Sequence, residues 1–357
     1  MDGIFLFCWD KLKLSKLKRM IVMAKRVGKR TVEFENVYLL SSAAIGGKKE
    51  GEGPLGDWFD KINYDEYMGT TSFEKAESML QKEALELAIK KAQLKNEDID
   101  YVFAGDLLNQ CIGSSFGIRD MGLPFLGLYG ACSTMALSIG LASVFIDSGA
   151  ANKAAAVTSS HFCSSERQFR FPLEYGSQRT PTAQWTTTAS GAVILTNEKC
   201  GIEIKHFTAG EIVDLGVKDA NNMGAAMAPA ACSTILNFLK DTNTKPTDYD
   251  KIFTGDLGFV GSQLMYKLMK ENGVDIEKKH EDCGKLMFYR KEQDVHSGAS
   301  GCGCVGSTLA GYIVKNMLDG ELERVVVCGT GALLSTVSTG QGESIPSIAH
   351  AIELKRV

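Results

Sequence analysis

The chain lacks the positive charge that would let it act through a global field: 39 Lys+Arg stand against 43 Asp+Glu, a formal charge of −4 over 357 residues. A protein that tracks a nucleic-acid backbone or coats an anionic bilayer needs the opposite balance, so no nucleic-acid partner is expected. Any anion it binds must be held by local geometry. Histidine is scarce, with only five residues, which limits the imidazoles available as bases or metal ligands. The ten cysteines lack the paired spacings of a zinc site or a disulfide framework. The one close pair, Cys302 and Cys304, is a C-x-C with no second pair or histidine at ligand spacing. No metal site and no cofactor are expected, and the thiols read as buried or reactive groups in a reducing compartment. Against these absences, 44% hydrophobic and 23% charged residues are the balance of a folded chain with a sizeable core.

Membrane signals are also weak. In residues 1–20 the apolar run Ile4 to Trp9 precedes Lys11, Lys13, Lys16, Lys18 and Arg19, the reverse of a signal peptide. We read residues 1–27 as an N-terminal extension, with Met20 or Met23 as the expected true start and a short basic amphipathic anchor as the alternative. Met121 to Ile146 carries no charge, long enough to raise the question of a membrane span. Pro124 and the glycines around it favour a buried strand running into a buried central helix instead.

The chain repeats itself. Asp98 to Leu107 (DIDYVFAGDL) recurs as Asp248 to Leu257 (DYDKIFTGDL), identical at six of ten positions. Cys132-Ser133-Thr134-Met135-Ala136 is echoed by Gly306-Ser307-Thr308-Leu309-Ala310, and each leads to an apolar strand, Ala154 to Val157 or Val325 to Cys328. Two echoes in one order predict a duplicated α/β unit, with halves 28–200 and 201–357 dividing near Lys199 to Gly201. Phe73 to Leu94 has helical periodicity, with Ala76, Met79, Leu80, Ala84, Leu87, Ala88 and Lys91 along one face. The charge- and glycine-rich stretch Lys48 to Asp57 reads as a solvated loop. Phe169, Phe171, Tyr175 and Trp185 read as apolar filler over the sheet ends.

These residues carry a resemblance. Gly130-Ala131-Cys132-Ser133-Thr134 looks like the nucleophile elbow of the thiolase superfamily, and Ser297 to Ser307 sits where that superfamily has its second glycine-rich loop. The resemblance implies an α/β thiolase-like fold, two duplicated halves in a five-layer αβαβα arrangement, and the superfamily's usual homodimer. More narrowly, KRVGKRT, GDLLNQ, GLYGACSTM, FRFPLEYGSQRTPTAQWT and FTGDLG are similar to the stage V sporulation protein AD family of spore-forming bacteria. That resemblance implies binding of dipicolinic acid (pyridine-2,6-dicarboxylate) or its calcium chelate, and uptake into the developing spore with release in germination. It further implies partnership with the other SpoVA membrane proteins, and a forespore or spore location peripheral to the inner spore membrane.

Cys132 at a helix start is expected to meet free N–H groups and the positive end of the helix dipole, which lower a thiol pKa and attract anions alike. Condensing chemistry would also need a general base and oxyanion donors. The superfamily supplies these from its second half as imidazoles or a His-Asn pair. Here Phe253 to Gly258 has neither residue, and the second loop offers Cys302 and Cys304, with His296 upstream. The expectation is a non-catalytic binder, with a ketoacyl-synthase-III-like acyltransferase using Cys132 as nucleophile as the alternative. A scaffold for membrane partners with a vestigial pocket is a third reading. Candidate ligand-binding residues are Cys132, Ser133, Thr134, Asn109, Gln110, His161, His296, Cys302 and Cys304. Arg167, Arg170 and Arg179 could each offer a fork to a carboxylate. Asp106 and Asp256, at equivalent points of the repeat, either cap local structure or approach calcium, the capping role being favoured.

Overall fold

A computed structural model describes residues 24–170 and 178–357; the extension read at 1–27 therefore falls almost wholly outside the described residues, as do Phe171 and Tyr175. The first half runs β1 (Lys25–Val27), β2 (Thr31–Glu33), β3 (Tyr38–Gly47), β4 (Lys61–Asn63), α1 (Phe73–Lys91), β5 (Tyr101–Gly105), α2 (Ile112–Ile118), β6 (Phe125–Gly127), α3 (Thr134–Asp147), β7 (Lys153–Ser160), α4 (Phe162–Arg170), β8 (Trp185–Thr186) and β9 (Ala189–Thr196). The second half follows with β10 (Ile202–Thr208), α5 (Met223–Thr242), β11 (Lys251–Thr254), α6 (Gly258–Glu271), β12 (His280–Asp282), β13 (Ala299–Ser300), α7 (Cys302–Thr308), β14 (Arg324–Ala332) and β15 (Ser347–Arg356).

The main sheet has the order β12-β11-β14-β15-β10-β3-β9-β7-β5-β6. Within each half the same pattern appears. β3 pairs antiparallel with β9, β9 antiparallel with β7, and β7 parallel with β5, which pairs parallel with β6. In the second half β10–β15–β14 are likewise antiparallel neighbours, and β14–β11–β12 are parallel. The repeated sequences land on equivalent elements: Asp98 to Leu107 on β5 and Asp248 to Leu257 on β11. The halves meet where β10 pairs antiparallel with β3, Ile202 opposite Leu39 and Glu203 opposite Tyr38, and with β2, His206 to Thr208 opposite Glu33 to Thr31.

Strand side chains alternate between two apolar layers, which is why the strands read as continuous apolar runs. Phe103 of β5 faces the central core with Met135, Ile139, Val305, Leu309, Val325 and Val327. Val102 and Ala104 face the outer layer built on Leu80, Ala84 and Leu85 of α1. In β14, Val326 and Cys328 turn outward against α5. Helices α3 and α7 lie between the two sheet halves, and α1 and α5 cover the outside: the five-layer αβαβα fold.

Three readings need correction. The strand after Met121 is not buried: β6 is the outermost strand, with Phe125 at 37% exposure. Lys48 to Asp57 is not simply a solvated loop, since Glu50 and Leu55 are buried and Glu50 Oε1 accepts the Thr188 N–H at 2.8 Å. On α1, Glu77 and Gln81 are buried while Lys91 is exposed. The polar pair is held because the two Gln81 Nε2 protons are shared among Gly105 O, Ser114 Oγ and Ser159 Oγ, and Glu77 accepts from the Ser164 hydroxyl at 2.5 Å.

Candidate functional site

The chain between β6 and α3 turns through Ala131 in a left-handed conformation, φ 49°. Ser133 and Thr134 hold that turn. Ser133 donates its amide and hydroxyl to Gly130 O (3.1 and 2.6 Å), and Thr134 does the same to Ala131 O (3.2 and 2.6 Å). Thr134 Oγ1 also accepts the Gly130 N–H at 3.1 Å. Both side chains are fully buried. Their donors are therefore committed to the elbow and do not form the free anion cradle expected from a helix start.

The turn places Cys132 at the floor of a cavity of about 480 Å³. Leu107, Tyr129, Phe169, Met223, Ala332 and Leu334 supply apolar wall. Ser165, Glu166, Gln178, Arg179, Asn221 and Ser300 supply polar groups. Arg179 is held over Trp185 (5.1 Å) and Phe162 (5.8 Å), whose rings stack 3.9 Å apart. It donates to Gln184 O and pairs with Glu166 at 3.5 Å. Trp185 is thus more than filler. Arg167 instead pairs with Glu74 at an exposed site, and only the backbone of Arg170 is described.

Behind the sulfur lies a buried network from the second half. The Asp256 carboxylate accepts from Thr330 Oγ1 (2.6 Å), Ser300 Oγ (2.7 Å) and Gly301 N (3.0 Å), and Ser300 Oγ is 3.8 Å from Cys132 Sγ. Burial, reinforced by the Asp256 charge, pushes the Cys132 thiol well above its ordinary value. That reverses the lowering expected from the helix dipole: the Ser133 and Thr134 amides are used in the turn, and the opposing pull of Ser300 and the Gly301 N–H is outweighed. Cys302 packs beside Cys132 with Leu107 and Phe169 and donates to Ser159 O at 2.9 Å. Cys304 faces Gly255 O at 3.8 Å. Burial raises both thiols as well.

Other candidates are not brought to the cavity. Asn109 and Gln110 are exposed on the turn before α2. Asp106 caps that turn, accepting from Leu108 N (2.9 Å) and from the amide and hydroxyl of Ser114 (2.7 and 2.6 Å). In the second half Asp282 does the corresponding capping, accepting from Leu257 N and Gly258 N, both at 2.9 Å. Asp256 is thereby left to organise Ser300 and Thr330. Among the described residues no group of three acidic, His or Cys side chains is arranged to hold a metal.

All five imidazoles are described, and none lines the cavity or bonds Cys132. His161 is bonded to Glu66 O at 2.9 Å and accepts the Cys163 N–H at 3.2 Å; burial keeps it neutral by lowering its pKa. His296 contacts Asp294 at 3.2 Å. His206 bonds Glu353 and His280 bonds Thr254, each at 2.7 Å. His350 accepts the Gly210 N–H at 3.2 Å, and burial lowers it to about 4.

Sequence reasoning missed Ser165, Glu166 and Asn221. The first two lie on α4, whose pattern offered only charge. Asn221 comes from a loop of the other half, with no local signal. Ser165 Oγ is buried, lines the cavity and has no hydrogen-bond partner among the described residues. Nor is any helix of the described residues long and apolar enough to cross a membrane.

Comparison with known proteins agrees with this architecture. The Aquifex aeolicus VF5 3-oxoacyl-[acyl-carrier-protein] synthase III structure superposes with TM-score 0.55 at 12% identity, covering 89% of this chain and 99% of that one. A Xanthomonas campestris OleA variant gives 0.59 at 13% identity, covering 92% and 100%. At these identities the likeness establishes the thiolase-type fold. Stage V sporulation protein AD of Bacillus subtilis (strain 168) is 44% identical over 333 residues, 93% of this chain and 98% of that protein. With the family profile described as Stage V sporulation protein AD (SpoVAD) matching residues 28–355, the chain belongs to the stage V sporulation protein AD family.

Proposed function

We propose that this protein serves stage V sporulation as a non-catalytic receptor for dipicolinic acid, bound in the cavity above Cys132. The observation that carries the reading is the sulfur's surroundings: its side-chain neighbour is a serine backed by a buried aspartate, where thiol chemistry would need an imidazole base. The cavity volume lies within the range of roughly 300–1,000 Å³ usual for small-molecule sites. Its apolar wall suits a flat ring, and Arg179 with Gln178 and Asn221 suits a carboxylate. In this reading the ligand arrives free or as its calcium chelate. The protein acts in uptake by the developing spore and in release at germination, peripheral to the inner spore membrane through the other SpoVA membrane proteins, and as a homodimer.

Isothermal titration with dipicolinate, with and without calcium, tests it. Saturable binding is expected, weakened at least tenfold by Cys132→Trp, which fills the cavity floor. Folded protein giving only heat of dilution would overturn the proposal. The second reading, acyl transfer from Cys132, is favoured by the condensing-enzyme neighbours and is separated by intact mass after incubation with acyl-CoA. An acyl adduct on Cys132 would establish a catalyst, and an unmodified mass is the expected result.

A further inference from the structure

We propose that Asp256 is a positioning residue that keeps Cys132 a neutral thiol, through its own charge and by fixing the Ser300 proton away from the sulfur. The inference rests on the cavity being a receptor rather than a catalytic site, and explains how the second half holds the sulfur in that state.

The geometry assigns every proton. Thr330 Oγ1 accepts the Asp256 amide N–H at 3.0 Å, so its own proton is free for the Asp256 carboxylate, 2.6 Å away. Ser300 Oγ gives its single proton to the other carboxylate oxygen at 2.7 Å, and the Gly301 N–H donates there too. Asp256 accepts in all of these bonds, the pattern of an ionised carboxylate. Ser300 therefore turns lone pairs toward Cys132 Sγ at 3.8 Å, and the thiol must be the donor in that contact.

A thiolate in this place would face oxygen lone pairs backed by a fully buried negative charge. Among the described residues its other titratable or charged surroundings are Cys302, packed beside it, and Tyr129, Glu166 and Arg179 on the cavity wall. Arg179 is tied to Glu166 and to the Gln184 carbonyl. The amides of Ser133 and Thr134 are closed on Gly130 and Ala131. Two of the amides at the helix start are thus turned away from the sulfur, and the carboxylate adds to burial in disfavouring the thiolate.

Replacing Asp256 by Asn removes the charge while the network stays closed: the Asn carbonyl oxygen accepts from Ser300 and the Gly301 N–H, and its amide donates to Thr330 Oγ1. The full-length protein is treated with iodoacetamide from about pH 6 to about pH 10, and Cys132 carboxamidomethylation is followed by peptide mass spectrometry. Wild-type Cys132 should stay unmodified near neutral pH. Asp256→Asn should react at least about tenfold faster at pH ~7.5, with its midpoint about one pH unit or more lower. Ser300→Ala keeps the carboxylate and should remain slow.

A wild-type midpoint near neutrality would overturn the proposal. So would folded D256N reacting at the wild-type rate, or S300A reacting as fast as D256N is expected to. Should D256N not fold, the wild-type profile and S300A still decide. Dipicolinate titration of the wild type is independent: its failure removes the receptor reading and leaves the thiol result standing, and the reverse outcome removes only the role of Asp256.

Discussion

Arg179 shows how a side chain in the cavity gains direction from what it rests on. Its guanidinium lies over Trp185 and Phe162 and donates to Gln184 O, so a planar fork is presented at low entropic cost. Lysine keeps the charge and loses both the fork and the stack. Arg179→Lys is therefore expected to weaken dipicolinate binding about tenfold and Arg179→Ala by more, read by titration. Gly331 acts by having no side chain. A Cβ there would lie 2.3 Å from Gly130 O and 3.2 Å from Cys132 N. Gly331→Ala must displace either β14 or the elbow. A stability loss of roughly 1–3 kcal/mol is expected in thermal melts, together with weaker dipicolinate binding; unchanged melting and affinity would show that the elbow does not depend on this contact. Arg179 could be singled out as a cation near the Cys half. The service of Gly331 to an elbow two hundred positions earlier leaves no local trace.

Elements were legible where burial follows a local period. α1 spans Phe73–Lys91, and its Ser72 side chain accepts the Lys75 N–H at 3.3 Å as an N-cap. β5, β7, β9, β11 and β14 fall on the apolar runs because each is covered on both faces. The errors share one cause. The run from Met121 was read as buried throughout, yet β6 pairs only with β5 along the sheet path and leaves Phe125 partly exposed at the rim. Glu50 sits in a stretch of charged and glycine residues with nothing nearby in sequence to bury it. Its cover, Thr188, is 138 residues away. Hydrophobic composition reports whether a segment can be buried, and the neighbours that bury it come from other parts of the chain.

For the whole molecule the buried acids set opposing dependences on pH. Burial pushes the Glu50 carboxyl up to about 7, although the Thr188 amide partly opposes it. A folded pKa above the unfolded one contributes stability that is full below about 4.5 and is lost as pH rises to about 7. Burial would also raise Glu353, but bonds from His206 and Arg324 overcome it and hold the group low. Its contribution is present at neutral pH and fades on acidification. Glu50→Gln is therefore expected to flatten the decline between pH ~5 and ~7 by roughly 3 kcal/mol at most, measured by denaturant unfolding across pH. An unchanged slope would show Glu50 to be ionised in the fold. The sequence by itself determined the duplicated α/β architecture, the elbow at Cys132 and the family, because apolar period, turn chemistry and internal repeats are local properties. Only the tertiary structure decided what the thiol became. Ser300 reaches it from the other half with Asp256 and Thr330 behind, and the amides of Ser133 and Thr134 are closed within its own turn. Protonation follows from which charges and hydrogen-bond donors surround an atom in space, and spacing along a chain does not specify them.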